Sequence, residues 1–291
     1  MNELETYFRN NNAKLINKWM HYFDIYDRHF SRFKGKEIVV LEVGVFQGGS
    51  LQMWKNYFGD RAKIYGIDIN PHCKELEEEN VEIFIGSQSD RKFLRQVKES
   101  IPPIDILIDD GGHTMKQQIV TFEELFDHVK DNGVYLCEDL HTSYQVFYGG
   151  GHKRNGTFIE YSKNFIDYIN AYHSEQRGLK VNGFTRSVGS LHYYDSILVV
   201  EKLRRDEAPI HMKTGAATVK DFNAAPTGFD GLKWKIKKPA LTVINKLLRF
   251  FRIGGFMWDH TESLGGKVFK HTVSLLYIRR MWCLLRHERH S

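Results

Sequence analysis

The feature that most constrains the fold is a regular alternation of short apolar runs and helical patterns between residues 37 and 138. The runs have the length of buried strands and cover Glu37–Val43, Lys63–Asp68, Val81–Ile85, Ile104–Asp109 and Gly133–Glu138. Apolar spacing between them predicts helices over Gly48–Phe58, Asp90–Glu99 and Met115–Lys130. Strands joined by helices at this rhythm are typical of the α/β class, with a doubly wound, mostly parallel sheet.

The flanking residues complete the predicted architecture. After a helix over Phe158–His173, two alternating segments, Gly183–Tyr194 and Ser196–Lys202, predict an antiparallel hairpin at one sheet edge, which gives seven strands in all. Residues 1–34 predict one or two helices, because five apolar side chains follow helical spacing. These side chains are Leu15, Ile16, Trp19, Met20 and Phe23.

Charge divides the chain unevenly. Residues 231–291 hold 13 Lys and Arg against 3 Asp and Glu, so the first 230 residues carry a net charge of about −5. We therefore predict an N-terminal helical segment (1–34), a catalytic domain (35–205), a linker (206–230) and a basic, amphipathic helical extension (231–291). The apolar face of the extension packs on the domain or on a second subunit, or the extension lies on an anionic membrane. Nucleic acid is disfavoured because no recognition motif accompanies the charge.

Composition indicates a folded protein of a reducing compartment. A hydrophobic fraction of 42% with 13% aromatic residues can fill a large core. The three cysteines are too few and too scattered for a disulfide framework or a zinc site. The polar N-terminus lacks the apolar centre of a signal peptide, and no apolar run has the length of a membrane span. We expect a cytoplasmic protein.

Two acidic motifs stand directly after two of the predicted strands. Asp109-Asp110-Gly111-Gly112-His113 follows one strand, and Glu138-Asp139-Leu140-His141 follows the next. Open α/β sheets bind ligands at the carboxyl ends of their strands. Carboxylates beside a histidine suit a hard divalent cation and a general base. The competing interpretation is that these acids cap helices and form salt bridges, although four converging acids without a cation would repel each other.

A second group of motifs predicts a nucleoside pocket. The glycine-containing turn Glu42–Ser50 joins the first strand to a helix, and Asp68 ends the second strand, where a carboxylate can accept both ribose hydroxyls. Gly86-Ser87-Gln88-Ser89-Asp90 follows the third strand and offers polar groups to an adenine edge. Alternatively, Asp68 caps the next turn, and Ser87 or Asp90 caps the next helix.

These motifs together resemble the class I S-adenosylmethionine-dependent methyltransferases. Over residues 35–202 the similarity is greatest to the metal-dependent sugar O-methyltransferases that modify macrolides such as mycinamicin and tylosin. The resemblance implies that Asp110, Glu138 and Asp139 bind Mg²⁺ (or Mn²⁺) and that His113 is the base. It also implies a cofactor pocket formed by Glu42, Gly44, Ser50, Asp68, Ser87 and Gln88, with Asp109 near the rim. His141, Tyr144 and His192 are candidate acceptor-binding residues.

The resulting expectation is a magnesium-dependent O-methyltransferase that modifies a sugar hydroxyl. The acceptor is a polysaccharide or other glycan, a glycolipid, a nucleotide sugar or a glycosylated natural product. We expect a homo-oligomer, with peripheral contact to the inner face of a membrane as one role of residues 231–291. Two alternatives stay open: an enzyme of the same fold, methyltransferase or hydroxylase-like, acting on a non-sugar molecule, and a non-catalytic nucleotide-binding scaffold.

Overall fold

A computed structural model describes residues 1–219 and Val243 of the chain. It divides the chain into one unit over Met1–His211 and a second over Met212–Ser291. In the second unit, residues 212–219 are exposed and form neither helix nor strand. Apart from Val243, the predicted basic extension over residues 231–291 lies outside the described residues. No helix in the described part of the chain has both the length and the apolar character needed to cross a bilayer.

The first unit is built on one sheet of seven strands in the order β3-β2-β1-β4-β5-β7-β6. The strands are β1 (Ile38–Val43), β2 (Ala62–Asp68), β3 (Val81–Ile85), β4 (Ile104–Asp109), β5 (Val129–Cys137), β6 (Val188–Tyr193) and β7 (Leu198–Lys202). The first five strands are parallel, whereas β7 runs antiparallel to β5 and to β6. The predicted doubly wound, mostly parallel sheet with an antiparallel edge hairpin is confirmed.

Eight α-helices of the described chain connect and cover these strands. They are α1 (Glu3–Asn10), α2 (Tyr22–Phe30), α3 (Gly49–Phe58), α4 (Arg91–Ser100), α5 (Met115–Leu125), α6 (Phe158–Ser162), α7 (Asn164–Ile169) and α8 (Gly183–Ser187). Short 3₁₀ turns supplement them, notably Pro71–Leu76 after β2 and Leu140–Tyr144 after β5.

Four helical or strand predictions need correction. Residues 11–21 form no helix, although the apolar spacing predicted one. The first part of the predicted hairpin, Gly183–Ser187, is the helix α8, because Asn182 and Thr185 form a capping box. The helix predicted over Phe158–His173 is interrupted at Lys163 and ends at Ile169, and the one predicted to Lys130 ends at Leu125.

Side chains of the strands alternate between two hydrophobic layers. On β1, Val40 belongs to the layer that α1, α2 and α3 cover, and Leu41 belongs to the opposite layer under α4 and α5. Both side chains are fully buried. A sheet covered on both faces exposes only its strand ends and its edges to ligands.

Backbone hydrogen bonds continue past the ends of the parallel strands. Asp110 N donates to Val43 O at 2.9 Å, Glu138 N donates to Asp109 O at 2.9 Å, and Gly86 N donates to Asp68 O at 2.8 Å. The loops that follow β1 to β5 therefore start in fixed register with one another. This register fixes where the acidic motifs after β4 and β5 begin.

Glu42 is an acidic side chain within the sheet, and it secures α3 against β1. Its carboxylate is fully buried and accepts hydrogen bonds from Ser50 Oγ at 2.8 Å and from Trp54 Nε1 at 3.0 Å. Burial raises the pKa of Glu42 to about 7, although the Lys18 charge and the Trp54 hydrogen bond act in the opposite direction.

Replacing Gly44 with alanine is expected to lower the free energy of unfolding by more than the cost of its positive backbone angle alone. Gly44 has φ +99°, and a Cβ atom there would lie 2.0 Å from the carbonyl oxygen of Asp110. Gly35 has φ +67° with open space around it, so Gly35→Ala measures the left-handed cost alone, about 1–2 kcal/mol. Urea unfolding is expected to show a larger loss for Gly44→Ala; equal losses would contradict the close approach of the two loops.

Glu42 also predicts a pH dependence of stability. Its folded pKa is raised to about 7, so the folded state holds a proton that the unfolded state loses at lower pH. The protonated Glu42 side chain stabilises the folded state most below the pKa that Glu42 has in the unfolded chain. This stabilisation is lost as the pH rises towards 7. Glu42→Gln should flatten the fall in unfolding free energy between pH 5 and 7 by up to about 1.4 kcal/mol per pH unit. Exposed Glu79→Gln is the control, and an unchanged slope in Glu42→Gln would contradict this prediction.

Candidate active site

The candidate active site is a cavity of about 460 Å³ at the carboxyl ends of the parallel strands. Loops after β1, β2, β3 and β4 form its walls, and Asp139 after β5 lies at one side. Residues 15–18, which join α1 to α2, also line it. Of the predicted cofactor residues, the cavity is lined by Gly44, Ser50, Asp68, Ser87 and Gln88.

Two predicted cofactor residues lie behind the cavity wall. Glu42 faces Ser50 and Trp54, as described above, and Asp109 is 1% exposed. Burial raises the pKa of Asp109 to about 7, although the hydrogen bond from Gln88 lowers it. In the structure both carboxylates support the loops that form the cavity, because neither side chain reaches its surface.

Asp68 fixes the glycine-containing turn after β1. Its Oδ2 atom accepts the backbone N–H groups of Val45 at 3.0 Å and Phe46 at 2.9 Å, and Oδ1 accepts that of Asn70 at 2.8 Å. A carboxylate has about four lone-pair sites, so these three bonds leave capacity for a ligand hydroxyl. The capping role and the ligand role that the sequence left open are therefore compatible.

Gln88 connects the loop after β3 to the acidic motif after β4. Its Nε2 donates to Asp109 at 2.9 Å, and its Oε1 accepts from Gly112 N at 2.6 Å. A Cβ atom on Gly111 would lie 2.0 Å from that same Oε1, so a larger residue would displace the amide. Gln88 therefore holds the Asp110–Gly112 backbone against the cavity, a role that the sequence did not suggest.

The loops after β4 and β5 bring Asp110, His113 and Asp139 together. His113 Nε2 lies 3.4 Å from Asp139 Oδ2 and 3.9 Å from Asp110 Oδ1. The three residues offer ligand atoms that all lie within 4.8 Å of one another. His113 and Asp139 both have φ of 55°, which is uncommon for residues other than glycine. Left-handed backbone at two facing positions directs both side chains into one small volume.

The third predicted metal ligand, Glu138, is not part of this group of ligand atoms. It is 1% exposed and accepts the Tyr26 hydroxyl at 2.6 Å and Lys18 Nζ at 2.9 and 3.0 Å. Lys18 Nζ also donates to Asp110 Oδ2, so the ammonium group lies between the two carboxylates. Burial raises the pKa of Glu138, and the Asp110 charge adds to this.

Sequence reasoning missed three polar side chains of the N-terminal segment. Lys18 and Tyr26 bind Glu138, and the Tyr22 hydroxyl donates to Asp139 Oδ1 at 2.7 Å. Burial lowers the pKa of Lys18, but the charges of Asp110, Glu138 and Glu42 outweigh it and the net shift is upward. Each contact spans more than 90 residues of sequence, so no local pattern could identify the partner.

The residue types suit a divalent cation and a nucleoside. Asp110, Glu138 and Asp139 supply carboxylate oxygens, which Mg²⁺ prefers, and two of them already face His113. In the described chain four buried side-chain atoms lack a hydrogen-bond partner, and two of them, His113 Nδ1 and Asp109 Oδ2, belong to the motif after β4. Buried polar atoms are usually paired, and a bound ligand or ion is one explanation for an exception. The donor set therefore fits the implied metal.

The candidate acceptor residues divide between two places. His141 lies beside the acidic cluster, with Nδ1 3.9 Å from Asp139 Oδ1 and 2.9 Å from Ser196 Oγ. Tyr144 is 55% exposed on the 3₁₀ turn that follows Asp139. His192 is on β6, packs against His29 and is not among the residues that line the cavity.

Comparison with known proteins identifies the domain. Residues 41–140 match the family described as "Methyltransferase domain". Mycinamicin VI 2''-O-methyltransferase of Micromonospora griseorubida is 35% identical over 206 residues, which cover 66% of this chain and 51% of that protein. A tetracenomycin-C 2'-O-methyltransferase of Streptomyces olivaceus, which acts on an 8-demethyl-8-α-L-rhamnosyl form, is 36% identical over 190 residues, or 62% of this chain and 50% of that protein.

A solved structure extends the similarity to three dimensions. The MycE methyltransferase from the mycinamycin biosynthetic pathway, in complex with Mg, SAH and mycinamycin VI, aligns with a TM-score of 0.63 and 30% identity over 80% of this chain and 58% of that one. The chain spans about half the length of the curated relatives it matches. Residues 41–140 thus match a methyltransferase domain, the sheet has a Rossmann-like fold, and the relatives include sugar O-methyltransferases of glycosylated natural products.

Proposed function

We propose that this chain is a divalent-cation-dependent O-methyltransferase that methylates a sugar hydroxyl. The observation that carries the proposal is the meeting of Asp110, His113 and Asp139 at the edge of a cavity built from the loops after β1 to β4. These three residues supply a cation site and a base, and the cavity has the polar groups of a nucleoside pocket. A scaffold has no need for both in one place.

The cavity would bind the methyl donor S-adenosylmethionine through its described polar groups. Asp68 would accept ribose hydroxyls, and Gly44, whose missing side chain lets the loops after β1 and β4 meet, would line the pocket beside it. Ser87 lines the cavity beyond β3 and offers a hydroxyl to the base. The bound donor supplies a methyl group on a positively charged sulfur, so its leaving group departs neutral without an acid.

Asp110, Asp139 and Glu138 would hold the cation, whose positive charge would make a sugar hydroxyl more acidic. His113 Nε2 would accept the hydroxyl proton, since that atom faces the acidic cluster. Asp139, 3.4 Å from Nε2, stabilises the imidazolium that results. The Tyr22 hydroxyl holds Asp139 at 2.7 Å and so helps to fix its orientation.

The surroundings favour an acceptor in which the sugar is attached to an apolar group. Tyr144, Val146 and Phe147 are 55%, 81% and 91% exposed, and they follow Asp139 within eight residues. Trp19 is 57% exposed and lies edge-on to His141, with ring centroids 6.0 Å apart. Exposed aromatic groups beside a polar site are typical of a binding surface. A glycosylated natural product or a glycolipid has both chemical parts.

Other parts of the proposal concern the setting of the enzyme. Cys73 and Cys137 are buried free thiols, which supports a reducing, cytoplasmic compartment. Self-association, a role in polysaccharide synthesis and membrane contact through residues 231–291 are further proposals, supported by the sequence alone.

Replacing the proposed base should separate catalysis from donor binding. His113→Gln is expected to lower the methyl-transfer rate by about 10²- to 10⁴-fold, because a general base is lost. Its affinity for S-adenosylmethionine, measured by calorimetry, should stay within a few-fold of the wild type. His173→Gln, at an exposed position outside the cavity, is the matched control.

The assay should offer full-length protein, Mg²⁺ and labelled donor to a panel of acceptors. A nucleotide sugar, a glycolipid, a glycosylated polyketide and a catechol cover the main classes. Transfer to the catechol alone would favour the non-sugar alternative. Full activity of His113→Gln would show that another group is the base. If the protein bound neither S-adenosylmethionine nor its demethylated product, the enzyme proposal would be contradicted. The alternative of a non-catalytic scaffold would then stand.

A further inference from the structure

The segment that joins α1 to α2, residues 11–21, forms part of the wall of the cofactor cavity. Residues 15–18 line the cavity, and Ile16 is buried in the layer beneath α3. A Cβ atom on Gly49 would lie 2.3 Å from the carbonyl oxygen of Leu15, so this connecting segment rests directly on the first turn of α3. The connecting segment therefore forms part of the cavity wall beside the start of α3.

Lys18 attaches the connecting segment to the acidic cluster. Its side chain is 3% exposed, and its Nζ donates to Asp110 Oδ2 and lies 2.9 and 3.0 Å from the two oxygens of Glu138. Tyr26 occupies a further position on Glu138 Oε1 at 2.6 Å. An ion coordinated by both Asp110 and Glu138 would need the position that the Lys18 ammonium group now holds.

The orientation of the third carboxylate, that of Asp139, also indicates that Lys18 holds the position of an ion. Asp139 faces His113 and Asp110, whereas the Glu138 carboxylate is directed towards Lys18 and Tyr26. With Lys18 in place, only two of the three proposed carboxylate ligands lie around one point. Removing the ammonium group would leave Asp110 and Glu138 with like charges in a buried site, which favours uptake of another cation.

We propose that Lys18 is a built-in counter-cation which a divalent metal displaces from Asp110 and Glu138, and that this displacement releases the connecting segment from the cavity wall. The inference rests on the proposed metal site. Because metal must compete with Lys18, its observed affinity is lower than the carboxylates alone would give. A metal ion that binds the state in which Lys18 is displaced also weakens the attachment of the connecting segment. By linkage, the two effects have the same free energy.

Removing the competing charge should strengthen metal binding. We expect full-length Lys18→Met to bind Mn²⁺ about tenfold or more tightly than the wild type, as read from the free-Mn²⁺ electron paramagnetic resonance signal. Lys14→Met is the matched control, because it removes the same charge from the same segment but leaves the ammonium group at Asp110 and Glu138 in place. The control should bind Mn²⁺ with nearly wild-type affinity.

Hydrogen exchange on the wild-type chain gives a second test that needs no variant to fold. Mg²⁺ alone should accelerate amide exchange in residues 11–21 and leave β1 and β4 protected. Slower or unchanged exchange in the segment would overturn the proposal, as would equal Mn²⁺ affinity in the wild type and Lys18→Met. Absence of Mn²⁺ binding in the wild type and both variants would instead contradict the metal centre itself, so the two failures are distinguishable.

Discussion

The gathering of negative charge at one edge of the sheet is the constraint on which the site depends. Asp110, Glu138 and Asp139 follow neighbouring strands, and Glu42 lies buried beneath them. Such groups repel each other and lose hydration, so the fold is stable only if donors and a cation are supplied. The N-terminal segment provides them as Lys18, Tyr22 and Tyr26. That segment is therefore part of the site as well as a cover for the sheet.

The positions of the site residues are set by backbone hydrogen bonds and backbone conformation more than by side-chain packing. The hydrogen-bond register that continues past β1, β2, β4 and β5 sets where each loop begins. Gly44 then lets the first loop touch the Asp110 carbonyl, and Gln88 holds Gly112. His113 and Asp139 accept a left-handed backbone, which is uncommon for residues other than glycine. Strain of this kind is kept where it directs a functional side chain.

The sequence predicted the sheet well because parallel strands buried on both faces leave a strong apolar signal. It also predicted that the motifs after β4 and β5 meet, since parallel strand ends share one edge. It failed over residues 11–21, where helical spacing of apolar residues is outweighed by tertiary contacts: Ile16 packs beneath α3 while Leu15 and Trp19 stay more than half exposed. The roles of Lys18 and Gln88 depend on partners distant in sequence, which no local pattern encodes.

The polar network also distinguishes a functional site from a purely structural one. A network that only stabilises a fold is expected to satisfy its buried donors and acceptors, because each unsatisfied group costs about 1–3 kcal/mol. The rest of this network follows the rule: Gln88, Asp68 and Glu42 each make two or more hydrogen bonds. The motif after β4 holds two of the four buried side-chain atoms that lack a hydrogen-bond partner in the described chain, His113 Nδ1 and Asp109 Oδ2, whereas Gln118 Oε1 lies on α5 and Tyr135 Oη on β5. The two exceptions in the motif stand where the polar side chains of the site meet, and there a ligand could supply the missing partners.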